Sequence, residues 1–172
     1  MKNTITVYPN KQLFQATRDI PKDQIKAQTY SQIGAAMLEI LRKTGGIGLS
    51  ANQVGLPLNM CVIEVTPSDP KIMLNPRIVK MSNKTVRSKE GCLSLPGATC
   101  NINRHKNITV EYEDVTGETQ TLTADGLLSN CLQHEIDHLN GILLINRLNT
   151  YSKEKVLKQV HKFKKFRNGM RR

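Results

Sequence analysis

Apolar residues recur at helical spacing after Pro21. The positions that form this pattern are Tyr30, Ile33, Met37, Ile40 and Leu41. Asp23 is the predicted N-cap, and Gly45 and Gly46 end the pattern. The spacing therefore predicts a first helix that ends at the paired glycines.

Two further segments show helical patterns. One begins after Asp125, the predicted N-cap, and ends at Gly141. Its apolar residues are Leu127, Leu128, Cys131, Leu132, Ile136 and Leu139. Because these residues nearly surround the helix, we expect it to lie in the core. The other segment, at about residues 151–168, has apolar residues on one face and lysines on the other, and predicts an amphipathic C-terminal helix.

The remaining patterns are typical of strands. Residues 60–65, MCVIEV, predict a buried strand, and KIMLNP and RIVKM predict two short strands. From Asn107, apolar and polar residues alternate on both sides of Asp114 and Gly117, which predicts a hairpin. We therefore expect an α+β fold, in which short antiparallel sheets pack around the helix at residues 125–140 and a C-terminal helix follows.

Length and hydropathy limit the class of protein. With 172 residues, the chain is long enough to bury its own core, and we expect one domain over residues 1–172. The sequence has no apolar run of the length of a membrane span, and its N-terminal segment MKNTITVYPN lacks the apolar region of a secretion signal. These features predict a cytoplasmic protein without a membrane partner.

Positive charge is concentrated at the C-terminal end. The formal net charge is +11, and residues 147–172 contain ten Lys or Arg against one acid, Glu154. The rest of the chain is nearly neutral. A basic tail on a nearly neutral body favours electrostatic attachment to an anionic partner.

The segment CLQHEIDHLNG, residues 131–141, contains a His-Glu-x-x-His motif. Helical residues four apart lie about 6 Å apart on one side, so that His134 and His138 can bind one metal ion. Glu135 lies beside them, where a general base would act. The alternative is that these are ordinary polar residues of a buried helix, but this triplet rarely arises by chance in a chain with four histidines.

Two histidines leave a catalytic metal ion without its third protein ligand. The extended pattern HExxHxxGxxH is not completed, because Leu144 occupies the position of its last histidine. Glu154 lies among the lysines of the tail, where a solvated charge is expected. Cys131 shares the helix face of the histidines, but its short thiol lies about 7 Å too far along the helix axis.

Cys92 is the best remaining candidate for the third ligand. It lies in KEGCLSLPG, where Gly91 allows close approach of the backbone, and Pro96 and Gly97 turn the chain. A cysteine in such a loop is more often a small apolar residue, and Cys100 has no distinctive setting. Combined with the incomplete histidine motif, the loop predicts a site of one cysteine and two histidines.

Three motifs taken together resemble those of the peptide deformylases. They are GIGLSANQ at residues 46–53, EGCLS at residues 90–94 and QHEIDHLNG at residues 133–141. Their order and spacing are similar to those of the family, and the similarity covers about residues 5–150. The resemblance implies a metal-dependent hydrolase that removes the formyl group from the N-terminal formylmethionine of nascent polypeptides and releases formate.

The resemblance also implies roles for individual residues. One divalent metal ion is bound by three side chains, those of Cys92, His134 and His138. Glu135 is the general base, and the side-chain amide of Gln53 and the backbone N–H of Leu93 donate to the oxyanion. Members of the family commonly work as Fe²⁺ enzymes, which oxygen inactivates. We expect Fe²⁺ here, although Zn²⁺, Co²⁺ and Ni²⁺ also suit these ligands.

A substrate cleft is implied as well. The substrate backbone lies like an added strand beside Gly46, Ile47 and Gly48, with Gly91 on its other side. The methionine pocket is lined in part by three residues, Ile47, Leu127 and Cys131. Ile47 and Leu127 could equally be plain core residues.

Three charged residues are expected to support the metal ligands. Glu90 and Arg104 are predicted to pair and to orient the loop that carries Cys92, and Asp137 is predicted to support a histidine. Outside this context each would be an ordinary charged residue.

Three positions depart from the usual family pattern. Ser50 replaces an alanine and is expected to be harmless because it is small. Thr99 replaces an arginine that contacts the substrate beyond methionine in many members, so that longer peptides are expected to bind less tightly or less selectively. Asn130 occupies a position near the pocket that is often apolar, and it puts the polarity of the pocket in question.

Two other functions compete with deformylation. One is a metallopeptidase of the His-Glu-x-x-His type, which would cleave internal peptide bonds. The other is a nucleic-acid or ribosome-binding module that acts through its charge alone. A combination is also considered, in which residues 151–172 recruit a deformylase to ribosomal RNA; alternatively, this helix serves only solubility.

Overall fold

The computed structural model describes residues 4–169. Residues 1–3 and 170–172, and with them the last three residues of the predicted basic tail, lie outside this range. Three α-helices occur within it: α1 (Ala27–Thr44), α2 (Gly126–Leu139) and α3 (Thr150–Gly169). All three predicted helices are thus confirmed.

Seven strands form two antiparallel sheets in the described part of the chain. Their bounds are β1 (Gly48–Ser50), β2 (Met60–Ile63), β3 (Lys71–Met81), β4 (Thr85–Gly91), β5 (Thr99–His105), β6 (Asn107–Glu113) and β7 (Thr119–Asp125). One sheet has the order β1-β2-β3-β6-β7, and β4 and β5 form a separate hairpin. Together with the helices, these sheets confirm the predicted α+β fold.

Helix α2 lies between the two sheets and contacts strands of both. Most of its residues are buried, and Leu132, Ile136 and Leu139 pack in one cluster with Cys61 of β2 and Met73 of β3. The prediction that this helix lies in the core is confirmed. Its polar residues are therefore removed from bulk water and need partners within the protein.

The start of α1 differs from the prediction. Asp23 lies in a short 3₁₀ helix, Lys22–Gln24, and α1 begins only after Lys26. Both Ile25 and Lys26 have extended backbone angles, which separate the two helical segments. The C-terminal end is as predicted, because Gly45 adopts a left-handed conformation with φ of 67°.

The two short strands predicted at KIMLNP and RIVKM are one strand, β3. Its pairing with β6 shifts register between Leu74 and Arg77, where Pro76 has no N–H to donate. Next to it, Asn75 has a φ of 50°, and its side-chain amide binds both the N–H and the C=O of Ile20. A bulge therefore absorbs the turn signal that the proline gives in the sequence.

Helix α3 packs by one face against the rest of the molecule. Val156 and Val160 are buried in a cluster with Leu95, Ile102 and Leu143. The helix is thus anchored beside the loop between β4 and β5. None of the helices within residues 4–169 combines the length and apolarity that a membrane crossing requires.

Candidate active site

The three predicted metal ligands converge from two parts of the fold. His134 and His138 lie on α2, and Cys92 follows β4 directly. One ligand atom from each of the three residues lies within 4.8 Å of the others, and Cys92 Sγ lies 3.1 Å from His138 Nε2. By contrast, Glu154 is exposed on α3 and does not belong to this group.

Among the four cysteines, Cys92 alone has conditions that favour a thiolate. Burial acts to raise the pKa of its thiol, but the facing imidazoles of His138 and His134 lower it well below the ordinary value. Burial raises the pKa of Cys61 and Cys131 well above it, and that of Cys100 to about 11. Since the thiolate is the form that binds metal ions, only Cys92 is prepared for this role.

A chain of charged hydrogen bonds holds His134. Its Nδ1 lies 2.9 Å from Glu90 Oε2, which leaves Nε2 available for a ligand. Glu90 in turn accepts two hydrogen bonds from Arg104, of 2.8 and 3.0 Å, as predicted for this pair. Burial acts to raise the pKa of Glu90, but the bonds from His134 and Arg104 outweigh it and lower the pKa to about 2. The carboxylate therefore stays ionised at neutral pH.

The predicted role of Asp137 needs correction. Its carboxylate accepts a hydrogen bond of 2.6 Å from Arg104 and others from Arg147, rather than a bond from an imidazole. Its buried side chain points to the arginines because they are the partners that neutralise its charge. Asp137 thus supports His134 only indirectly, through Arg104 and Glu90. Within residues 4–169, Nδ1 of the buried His138 has no hydrogen-bond partner.

Glu135 is buried at the wall between α2 and β1. A Cβ atom placed on Gly48 would lie 2.7 Å from both Glu135 Oε1 and Cys131 Sγ, so a side chain at this position would displace these groups. Burial raises the pKa of Glu135, and the imidazoles of His134 and His138 only partly offset this effect. Its Oε2 is buried and has no hydrogen-bond partner among the described residues.

Gln53 is held with its amide nitrogen toward the loop of Cys92. Gln53 Oε1 accepts from the backbone N–H of Ser50 at 3.0 Å and from its hydroxyl at 2.9 Å. Gln53 Nε2 donates to Ser94 Oγ at 3.0 Å, and its second hydrogen remains available. This orientation fits a donor to a developing negative charge.

A cleft of about 320 Å³ opens beside these groups. Its lining includes all the residues predicted to bind the substrate: Gly46, Ile47, Gly48, Gly91, Leu127 and Cys131. Ile47 is 36% and Leu127 is 56% exposed, so neither is a core residue. Asn130 also lines the cleft, where its amide donates to Ser88 Oγ at 2.9 Å; the pocket therefore has a polar part. Thr99 pairs with Gly91 but does not itself line the cleft, and its N–H donates to Gln159 of α3.

The sequence did not predict the roles of several residues of the site. Ser50, expected to be harmless, contributes a hydroxyl that contacts Gln53 and Asn52. Ser94 accepts a hydrogen bond from Gln53, and Arg147 donates one to Asp137. Single serines and arginines carry no spacing signal, but Ser50 and Ser94 lie within two of the recognised motifs, which is the one signal that marks them.

The donor set fits a divalent metal ion. A thiolate and two imidazoles are typical protein ligands of Zn²⁺ and of other first-row metal ions, and three such ligands leave a position open for water or substrate. Glu90 and Glu135 add negative charge around the ligands, which favours a bound cation. The fold and the site are thus those expected of a metalloprotein with a His-Glu-x-x-His motif.

Comparison with known proteins identifies the family. Residues 2–154 match the family model described as polypeptide deformylase. A peptide deformylase of Brucella suis is 37% identical over 167 residues, which cover 94% of this chain and 91% of that protein. One of Bartonella bacilliformis is 40% identical over 150 residues, which cover 81% and 82%. The chain belongs to the polypeptide deformylase family.

Solved structures agree with this assignment. The crystal structure of a peptide deformylase from Legionella pneumophila aligns with a TM-score of 0.90 and 29% identity, covering 98% of both chains. A peptide deformylase from Ehrlichia chaffeensis in complex with actinonin aligns with a TM-score of 0.85 and 33% identity, covering 92% of this chain and 95% of that one. The similarity thus extends to the arrangement of the whole fold.

Proposed function

We propose that this chain removes the formyl group from the N-terminal formylmethionine of nascent polypeptides, with Cys92, His134 and His138 as ligands of one divalent metal ion. The family supports the reaction. The main structural support for the ligand set is the convergence of the Cys92 thiol with two imidazoles from another part of the fold. A metal ion bound there would supply a nucleophile at neutral pH by lowering the pKa of water.

The residues around the ligands have complementary roles. Glu135 takes a proton from the attacking water through its free Oε2 and later delivers one to the leaving amine. The amide of Gln53 and the backbone N–H of Leu93 donate to the oxyanion that forms on the formyl carbon. Because Gln53 is already held by Ser50 and Ser94, little reorganisation is needed when this charge develops.

The substrate backbone lies along the edge strand β1. Gly46, Ile47 and Gly48 line one side of the cleft, and Gly91 lines the other. The methionine side chain enters the pocket lined by Ile47, Leu127 and Cys131. The side chains of Ile47 and Leu127 are exposed and available for contact with a ligand, whereas Cys131 is buried.

The ligand set and the reaction are tested together with Cys92→Ala. The measurements are metal content and formate release from formyl-Met-Ala-Ser, and we expect the variant to lose both. Cys100→Ala is the matched control, since Cys100 is a neighbouring thiol with a raised pKa, and it should retain both. Cleavage of internal peptide bonds without release of formate would favour a metallopeptidase instead.

We propose Fe²⁺ as the native metal ion. The ligand types suit Fe²⁺ as well as Zn²⁺, Co²⁺ and Ni²⁺, and the family commonly uses iron. Protein prepared anaerobically with each metal in turn should be most active with Fe²⁺ and should lose this activity in air. Activity that survives only with Zn²⁺ would contradict the assignment.

We propose that α3 recruits the enzyme to ribosomal RNA, in the cytoplasm. Four exposed lysines, Lys155, Lys158, Lys162 and Lys165, are spaced three or four residues apart and share its outer face. Such a row of charges suits contact with phosphates. An alternative remains that this face serves only solubility.

A truncation before α3 would remove Val156 and Val160 from the core, so charge reversal is the better test. Lys158→Glu/Lys165→Glu should weaken co-sedimentation with ribosomes and reduce its dependence on salt between about 50 and 200 mM. Lys80→Glu/Lys106→Glu, at exposed positions on other elements, changes the net charge equally and is the control. Equal binding of the two variants would show that α3 has no special part.

A further inference from the structure

A second cavity lies next to the cleft. Its volume is about 990 Å³, and it is bounded by the N-terminal segment, α1, the loop after β4 and the last turns of α3. Its apolar lining includes Ile5, Val7, Ile40 and Phe163. We refer to it as the α1–α3 groove. The family match ends at residue 154, so the wall that α3 provides lies outside the matched residues.

The groove and the cleft adjoin each other. Leu93, the residue after Cys92, lines both. In α1 and the segment that follows it, Lys43 and Thr44 line the groove, whereas residues 45–48 line the cleft. An occupant of the cleft that extends past Gly45 therefore enters the groove.

The direction of the substrate follows from the position of Glu135. Gly48 contacts Glu135, so the formyl end of the substrate lies at the Gly48 end of the segment. A peptide that pairs antiparallel with residues 45–48 then runs from Gly48 toward Gly45. Because an extended peptide advances about 3.3 Å per residue, roughly three residues span this segment and the following ones reach Lys43.

The floor of the groove is fixed to the catalytic loop. Residues of the N-terminal segment alternate: the N–H groups of Thr6 and Tyr8 bind the C=O of Gln53 and of Ser94, while Ile5 and Val7 line the groove. On the opposite wall, Phe163 packs against Gly97, where a Cβ atom would lie 2.6 Å from the ring. The groove is thus built on the same loop that carries Cys92.

The charge of the groove is predominantly positive. Lys43, Lys164 and Arg167 line it, against a single carboxylate, Glu39, which pairs with Lys43 at 2.5 Å. Within residues 4–169, no carboxylate forms an ion pair with Lys164 or Arg167. Lys164 donates to the C=O of Tyr8, which holds its charge at the rim of the groove.

We infer that the α1–α3 groove binds the substrate polypeptide from about its fourth residue onward, and that it favours acidic residues there. This inference rests on the proposed function, because the formyl end must be held at the metal site. The apolar floor accepts side chains of many kinds, while the excess of cations discriminates by charge. Binding in the groove acts on KM, since it lies away from the reacting bond.

Two formylated hexapeptides test the inference: formyl-Met-Ala-Ser-Asp-Glu-Asp and formyl-Met-Ala-Ser-Lys-Arg-Lys. With wild-type enzyme, we expect kcat/KM for the acidic peptide to be about threefold to tenfold higher, through KM, because exposed ion pairs are individually weak. Lys43→Glu/Arg167→Glu should abolish or reverse this ratio. Lys80→Glu/Lys106→Glu, which makes the same change in net charge outside both cavities, should keep it.

Equal values for the two hexapeptides with wild-type enzyme, or an unchanged ratio in Lys43→Glu/Arg167→Glu, would overturn the inference while formate release continues. The same hexapeptides without the formyl group, labelled at the C-terminus, give a binding measurement that needs no hydrolysis. Preferential binding of the acidic product without any formate release would reject the proposed function and retain the groove. The two failures are therefore distinguishable.

Discussion

Helices α2 and α3 both carry several charged residues, but in opposite environments. On α2, Glu135 and Asp137 are buried and lie in contact with other charged or ligating groups. On α3, lysines such as Lys158 and Lys165 are exposed. Buried charges require fixed partners and thereby fix geometry, whereas exposed charges act over longer distances and are screened by salt. We therefore expect the buried acids of α2 to serve the proposed catalysis, and the exposed lysines of α3 to attract anionic partners.

The largest effect is expected from replacing the buried acid of α2. Glu135→Gln keeps the shape of the side chain but cannot accept a proton, and we expect kcat for formate release to fall about 10²-fold to 10⁴-fold. Metal content should remain close to that of wild type. Glu154→Gln makes the same chemical change on α3, at an exposed position, and should leave the rate unchanged. Equal rates for Glu135→Gln and wild type would remove Glu135 from the mechanism.

The next largest effect is expected from removing Arg104, which forms buried ion pairs with Glu90 and Asp137. Arg104→Met leaves the buried carboxylates of Glu90 and Asp137 without their shared partner, and we expect a loss of about 3–5 kcal/mol in the free energy of unfolding. Affinity for the metal ion should also fall, about 10-fold to 100-fold, because Glu90 no longer orients His134. Urea denaturation and metal titration measure the two effects.

Arg42→Met is the control for Arg104→Met. Arg42 binds Glu64 with comparable geometry, but its side chain is 56% exposed, so its loss should lower the free energy of unfolding far less than the loss of Arg104. Similar losses in both variants would contradict the view that burial decides the importance of these pairs.

Much of this contrast could be predicted from the sequence, because it depends on spacing. Three periodic features predicted the helices α2 and α3. They are the four-residue separation of His134 and His138, the apolar residues around α2 and the lysines of the tail. The β4–β5 hairpin was not predicted. Two of its buried positions are occupied by Glu90 of β4 and Arg104 of β5, which pair with each other. Because charged residues fill these buried positions, the two strands lack the alternation of apolar and polar residues that predicts a hairpin. The partners of Asp137 were also missed, since contacts between distant arginines and a carboxylate depend on tertiary structure.

The pH dependence should separate the two buried carboxylates of the site. Glu135 acts as a base only when it is ionised, and its pKa is raised, so the acidic limb of kcat/KM should lie above pH 4.5. Glu90 behaves in the opposite way. Its folded-state pKa of about 2 is below its ordinary value of 4.5, so it stabilises the fold above pH 4.5, and this contribution is lost as the pH falls toward 2.

Two measurements check these directions. The pH profile of formate release should lose activity about tenfold per unit below the pKa of Glu135, at pH values where circular dichroism still reports a folded protein. In the Glu90→Gln variant, the free energy of unfolding should fall less as the pH is lowered, because the contribution of Glu90 is absent. Glu118→Gln, on an exposed turn, should keep the pH dependence of wild type. Coincident loss of activity and fold in wild type would show that the activity profile reports unfolding.

The smallest effect is expected at Ser50, whose contacts with Gln53 are neutral hydrogen bonds and not ion pairs. Ser50→Ala removes the hydroxyl that Gln53 Oε1 accepts, but the backbone N–H of residue 50 still holds the same oxygen. Since one neutral hydrogen bond contributes about 0.5–1.5 kcal/mol, kcat should fall about twofold to tenfold, with KM little changed. Gln53→Ala, which removes the donor itself, should cost about 10² to 10³. In the Gln53→Ala background, Ser50→Ala should have no further effect on kcat, because the hydroxyl acts by orienting Gln53; additive losses would mean that it acts through another group, such as Glu135.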